Sequence, residues 1–173
     1  MKTMSRVGLC VGLLSLAWAA GGCGEGPFHV EVFLDPDKPE IQERSIEVNI
    51  LGVSDTQLPK WEQMVVSEYW KPESDIRAGA DAFQMHFGQD LPTSQVLKKN
   101  DPKWKGWLNE RNAKHLVVLA HLVVKDMPGR ADPRRIILPL KIERWEWYLW
   151  GDDTIRIQLG PGGIEALRQP KKE

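Results

Sequence analysis

Cysteine is nearly absent from this chain of 173 residues: there are two, Cys10 and Cys23. No charge sign dominates, since 23 Lys and Arg stand against 24 Asp and Glu. Beyond residue 20 no apolar run approaches the roughly 20 residues that a bilayer-spanning helix needs. Internal repeats and low-complexity stretches are also missing. Each absence excludes something. Mixed charge argues against nucleic acid and against purely electrostatic membrane attachment. Two cysteines build neither a disulfide framework nor a cysteine-rich zinc site. Phenylalanine (four) and tyrosine (two) are scarce, so the eight tryptophans carry most of the aromatic surface.

What is present begins with an export signal. Lys2 and Arg6 precede Val7–Ala20, which contains no charge. That stretch has the length of a signal-peptide core, about 7–15 apolar residues, and is too short to cross a bilayer. Ala17-Trp18-Ala19 is an A-x-A pattern that an ordinary signal peptidase cuts. Ala20-Gly21-Gly22-Cys23 resembles a bacterial lipobox, although Ala20 stands where leucine is usual and Gly21 is atypical. Cys10 lies inside the signal, so Cys23 remains as a lone thiol in an oxidising compartment. Acylation at Cys23 removes that liability and is the expectation: residues 1–22 are the signal peptide, 23–27 the lipidated cysteine and short tether, and 28–173 one domain. Gly24 is not the aspartate of inner-membrane retention, so an outer-membrane, periplasm-facing anchor is expected. Residues 1–22 hold two basic and no acidic side chains, leaving 21 against 24 and a net charge of −3.

The domain reads as mainly β. Phe28, Val30, Val32 and Leu34 alternate with His29, Glu31 and Phe33, the period of a half-buried strand. Asp35-Pro36-Asp37-Lys38-Pro39 interrupts it, because proline donates nothing to a ladder. Ile46, Val48 and Ile50 resume alternation. Pro59 opens a short helix presenting Trp61, Met64 and Val65, which ends by Lys71-Pro72. "AFQMHF" is a further strand. Asp101-Pro102 starts a second helix carrying Trp104, Trp107 and Leu108. "HLVVLAHLVV" (115–124) is apolar on both faces and should be central. Residues 136–149 are extended and interrupted at Pro139, "TIRIQL" alternates again, and "IEALRQPKKE" is expected to form a helical turn. About seven strands without βα alternation suggest an antiparallel β-sandwich with one or two short helical insertions; a small open barrel is the alternative.

No reaction centre emerges. His29, His86, His115 and His121 show no metal-ligand spacing. His115 and His121 share a strand face but are separated by about 20 Å at ~3.3 Å per residue. Asp35/Asp37 and Asp152/Asp153 lack the oxygen-rich run of a calcium loop. Ser67, Ser74 and Ser94 sit in no nucleophile motif, and Gly160-Pro161-Gly162-Gly163 lacks the ending of a phosphate loop. The expectation is a protein without enzymatic activity, cofactor or metal.

An acylated cysteine, a strand, a Pro/Asp loop and "SIEVNILGV" are followed by "WEQMVVSEYW" as an inserted helix, "KHLVVLAHLVV" as a central late strand and "TIRIQL" as the last strand. This order resembles the outer-membrane lipoprotein of the type VI secretion system, the TssJ family. The resemblance covers most of the domain by pattern, and "DPKWKGWLNE" has no place in it. It implies a transthyretin-like sandwich and a role as outer-membrane anchor of the secretion envelope complex. It also implies binding to the periplasmic end of the large inner-membrane subunit through the first loop, "DPDKPEIQER", with Asp35, Pro36, Asp37, Lys38 and Pro39 as partner-binding residues. The alternative is a cell-envelope lipoprotein that binds carbohydrate or peptidoglycan through an aromatic patch of Trp147, Tyr148 and Trp150, since exposed aromatic rings anchor interfaces and stack on sugars.

Overall fold

The alternation at the start of the domain becomes strand β1 (His29–Leu34), whose even-numbered residues are buried and whose odd-numbered ones are half-exposed. The computed structural model describes residues 27–127, 131–141 and 153–167. Cys23, Trp147, Tyr148 and Trp150 therefore lie outside the described residues. Strand β2 is Ile46–Val53, β3 Phe83–Phe87, β4 Ser94–Leu97, β5 His115–Ala120, β6 Arg135–Pro139, β7 Thr154–Gly160 and β8 Gly163–Leu167. They form two four-stranded sheets, ordered β4-β1-β7-β8 and β3-β2-β5-β6. The expected β-sandwich is what the chain forms. All pairings are antiparallel except β1 with β7, which run parallel. Both strands of that pair start at the same end because the chain crosses to the other sheet between them.

Val30, Val32, Ile155, Ile157 and Leu159 from the first sheet meet Val48, Ile50, Leu116 and Val118 from the second. Each such burial contributes about 1.5–3 kcal/mol relative to exposure. β5 lies between β2 and β6 and is central to its sheet, as its apolar composition requires. It stops at Ala120 rather than Val124, and Val123 is 94% exposed.

The second sheet is covered on its outer face too. There Leu51, Val53, Val117 and Leu119 pack under Trp61, Met64, Val66, Tyr69 and Trp70. The covering layer is helix α1 (Leu58–Gln63), helix α2 (Val66–Tyr69) and helix α3 (Asp75–Ala78). Met64 adopts an extended ψ of 135° and breaks the expected single helix in two. That resets the helical phase, so Val66 is buried and Val65 is exposed, contrary to the continuous-helix expectation. Arg135, from β6, donates through Nη1 to the carbonyls of Trp61 (2.6 Å) and Met64 (2.8 Å). A buried cation thus serves the carboxyl end of α1, where helix carbonyls lack partners.

Helix α4 (Pro102–Lys105) starts as expected, with the Asp101 carboxylate accepting from the Lys103 amide at 2.9 Å. It runs into a π turn, Gly106–Glu110. Trp104 and Trp107 are fully buried in the main core. The final segment corrects its expectation: 163–167 is strand β8, not a helical turn. Gly160 pairs with Gly163 across a two-residue turn, and the Ile164 amide donates to the Pro133 carbonyl at 2.8 Å.

Buried Asn49 donates through Nδ2 to the Tyr69 hydroxyl at 2.9 Å, while its Oδ1 has no partner among the described residues. Tyr69→Phe strands the remaining amide group and is expected to cost about 1–3 kcal/mol. Adding Asn49→Leu removes the stranded group, so the double variant should recover part of that loss in urea unfolding.

Candidate functional site

Strand registers and the α4 segment define two ends of the sandwich. At one end the chain enters through Phe28. His29 there aligns with Thr154, and Val30 with Leu97. In the other sheet Val53 aligns with His115, and His115 with Pro139. The tryptophans of α4 and the π turn tie these together. The Trp104 ring meets Phe28 edge-on at 5.7 Å and Trp107 at 5.4 Å. Trp104 Nε1 donates to the Lys98 carbonyl at 3.0 Å. The Lys114 amide donates to the Val53 carbonyl, and the Leu140 amide to the Lys114 carbonyl, each at 2.8 Å. At the opposite end lie Leu34, Ile46, Phe87 and Gly160, and with them the loop from Asp35 to Ser45. β1 spans six residues. At ~3.3 Å per residue it therefore separates Phe28 from the loop by nearly 20 Å.

The loop is built rigidly from its own sequence. The Asp35 amide donates to the Leu159 carbonyl at 2.9 Å, joining the loop's start to β7. Asp35 Oδ1 accepts from the Asp37 amide at 3.0 Å, and the Asp35 carbonyl accepts from the Lys38 amide at 3.2 Å. An aspartate ahead of a turn makes this bond because its short carboxylate reaches the backbone two residues on. Pro39 then begins a 3-10 turn, Pro39–Ile41, and the Arg44 amide closes onto the Ile41 carbonyl at 3.2 Å. Ile41 is fully buried in the main core and pins the loop from below. Pro36, Asp37, Lys38, Pro39 and Glu40 are exposed. The structure thus brings together all five residues expected to bind a partner, with Asp35 half-buried as the turn's acceptor. A loop whose backbone is already fixed in this way would lose little conformational freedom in any contact it made.

Two hollows flank this loop on the first sheet's outer face. Glu31, Phe33, Pro36, Ser94 and Arg156 line one of about 270 Å³. Asp35, Gln158, Gly160 and Glu165 line another of about 250 Å³. Glu31 bridges Arg156 at 2.8 Å and accepts from the Ser94 hydroxyl at 2.8 Å. Of the residues lining these hollows, Asp35 and Pro36 belong to the expected partner-binding set, whereas Glu31, Phe33, Arg156, Gln158 and Glu165 carry no such expectation. The signal available was Phe33, an apolar residue on the polar face of β1.

The histidines are dispersed. His115 Nε2 lies 2.8 Å from Asp55 Oδ1, whereas His121 stacks on Trp70 at 4.8 Å at the other end of the same sheet. His29 Nδ1 accepts from the Lys99 amide at 3.3 Å, and His86 is exposed on β3. Among the described residues, no group of three His, Cys, Asp or Glu is placed to hold a metal ion. None of the described helices is long and apolar enough to cross a membrane.

No protein-family model matches the chain. No curated protein matches its sequence. Solved structures that resemble its fold include three from secretion-system proteins. One is the type VI secretion protein TssM C-terminal domain from EAEC, with 16% identity, a TM-score of 0.51, and coverage of 81% of this chain and 99% of that one. A second is Serratia marcescens Lip, described as a membrane-bound component of the type VI secretion system, with 15% identity, a TM-score of 0.47, and coverage of 84% and 98%. A third is the type VI lipoprotein TssJ1 from Pseudomonas aeruginosa, with 13% identity, a TM-score of 0.47, and coverage of 84% and 99%. At these identities the likeness is one of fold, and it rests on the first of the three.

Proposed function

We propose that this chain is a lipid-anchored, non-enzymatic docking module of a type VI secretion envelope complex. In this reading acylated Cys23 holds it in the outer membrane, facing the periplasm, and the Asp35–Pro39 loop binds the large inner-membrane subunit. The observation that carries the reading is the loop's position at the end of the sandwich opposite Phe28. A tether of four residues, Gly24–Pro27, extends at most about 14 Å. It therefore keeps the Phe28 end near the bilayer and presents the loop to the periplasm. The fold likeness to the type VI secretion TssM C-terminal domain, at a TM-score of 0.51, supports the coarser part of this reading, a place in that secretion system.

The test is binding of the purified periplasmic domain of the inner-membrane subunit. Asp37→Lys combined with Lys38→Glu reverses two exposed charges whose side chains make no ion pair or hydrogen bond among the described residues. Folding should be unchanged within about 0.5 kcal/mol, as for other surface substitutions. Binding should weaken by about tenfold or more, because misplaced charge at an interface is repelled. Unaltered affinity in this variant would remove the loop from the interface.

A further inference from the structure

The net charge of the chain averages over two segments of opposite sign that lie at opposite ends of the sandwich. Residues 98–114 carry six cations, Lys98, Lys99, Lys103, Lys105, Arg111 and Lys114, against two anions, Asp101 and Glu110. At the far end, residues 35–44 carry four anions, Asp35, Asp37, Glu40 and Glu43, against Lys38 and Arg44. The basic segment is fastened to the Phe28 end through Trp104 and Lys114, as described above. Part of its charge is neutralised locally. Lys99 bridges Asp153 at 2.7 Å, and Asp81 takes both Lys103 and, at 3.7 Å, Arg111. The bond from Lys99 holds the Asp153 carboxyl below its ordinary range. Lys98, Lys105, Lys114 and also Lys141 are exposed and make no ion pair among the described residues.

We infer that this lysine-bearing end docks on the anionic phospholipid surface in which the anchor sits. The inference deepens the anchoring reading and rests on it. The occupant follows from position and charge. Cys23 lies five residues before Phe28, so an acyl chain on it brings a bilayer within a short reach of these four ammonium groups. Lysines near an anionic surface are attracted within about one Debye length, roughly 10 Å at moderate salt. A lipid chain and a basic patch together make a more stable attachment than the chain alone. The acidic far end is repelled by the same surface, so the module stands with its loop pointing away from the membrane. Anchoring then fixes orientation as well as location.

The experiment uses the full-length gene product as isolated from membranes, reconstituted into phosphatidylcholine vesicles with or without about 30 mol% phosphatidylglycerol. Lysines are labelled with an amine-reactive reagent and quantified by peptide mass spectrometry, while intact mass on the same sample reports the state of Cys23. Labelling of Lys98, Lys105, Lys114 and Lys141 should be about fivefold slower on the anionic vesicles, and Lys38 and Lys125 should react equally on both. About 0.5 M salt should erase the difference, since the Debye length then falls to a few ångströms. Acylated Cys23 with equal labelling on both vesicles overturns the docking face and leaves the anchor standing. If Cys23 is unmodified, the anchor falls. The patch is then tested by co-sedimentation of the soluble protein with the anionic vesicles at low salt. Binding that falls about tenfold in a Lys98→Gln, Lys105→Gln, Lys114→Gln variant supports the patch, and absence of binding overturns it.

Discussion

Trp107→Ala is expected to lower the stability of the folded chain by about 3–5 kcal/mol, the range for deleting a fully buried tryptophan. The side chain is 0% exposed, and its Nε1 donates to the Asp81 carbonyl at 3.0 Å. Its ring supports Trp104, and through it Phe28, so the cavity opens where the chain enters the sandwich. Gly52 explains why the ring fits. A Cβ at that position would stand 2.6 Å from both Cβ and Cγ of Trp107, closer than real side chains approach. Those atoms lie next to the backbone and cannot swing aside. Gly52→Ala should therefore cost about 1–3 kcal/mol by overpacking. The two losses should not add fully: in the double variant the clash with the ring atoms is gone, while the Cβ retained at position 107 still crowds the new methyl, so a coupling of about 0.5–1 kcal/mol is expected. Urea unfolding of the four proteins measures this. A Trp107→Ala loss below about 1 kcal/mol would contradict the packing described.

Asp132→Asn should cost about 3 kcal/mol at neutral pH, because it breaks a buried ion pair and leaves the cation behind. Asp132 and Arg134 are 1% and 4% exposed. Arg134 Nε and Nη2 donate to the two Asp132 oxygens at 2.9 and 2.6 Å, and Nη2 also reaches Asp126, which accepts from the Ser67 hydroxyl at 2.8 Å. Burial alone would raise the Asp132 pKa, but the Arg134 hydrogen bonds and charge, with the Met127 amide, outweigh it and leave the carboxyl lowered. Arg134 is correspondingly held in its charged form. A depressed folded-state pKa stabilises fully above the unfolded carboxylate value of about 3.9 and is lost as pH falls through the folded value. The parent should therefore lose stability steeply below about pH 4, and Asp132→Asn should start lower at pH 7 with a flatter acid limb. Thermal unfolding at several pH values checks both, and parallel curves would show that Asp132 is not held ionised by Arg134.

Sequence periodicity made the sandwich legible wherever burial alternates. β1, β3 and β7 place apolar residues at every second position, and β2 does so from Ile46 to Ile50 before it is buried on both faces. β4 was invisible because it is four residues long and its Val96 points outward, 40% exposed. β8 misled for a different reason: Ile164 and Leu167 lie three apart, a spacing a helical turn also satisfies. The choice is made by tertiary contacts with Gly160 and Pro133, which no local window contains. The loop after β1 could be read because Asp35-Pro36-Asp37-Lys38-Pro39 is a strong turn signal, whereas the buried Ile41 that pins it looks like any apolar loop residue. The position of the basic segment needed topology. Its cations are plain in the sequence, but only the Phe28–Trp104 contact places the segment at the Phe28 end of the sandwich.

The most direct test of the account is the mass of the mature N-terminal peptide recovered from the membrane fraction. The account predicts a chain that begins at Cys23 with a diacylglyceryl thioether on its sulfur. A chain that begins at Ala20 with a free thiol would contradict it, and would leave the Asp35–Pro39 loop without a surface to stand on.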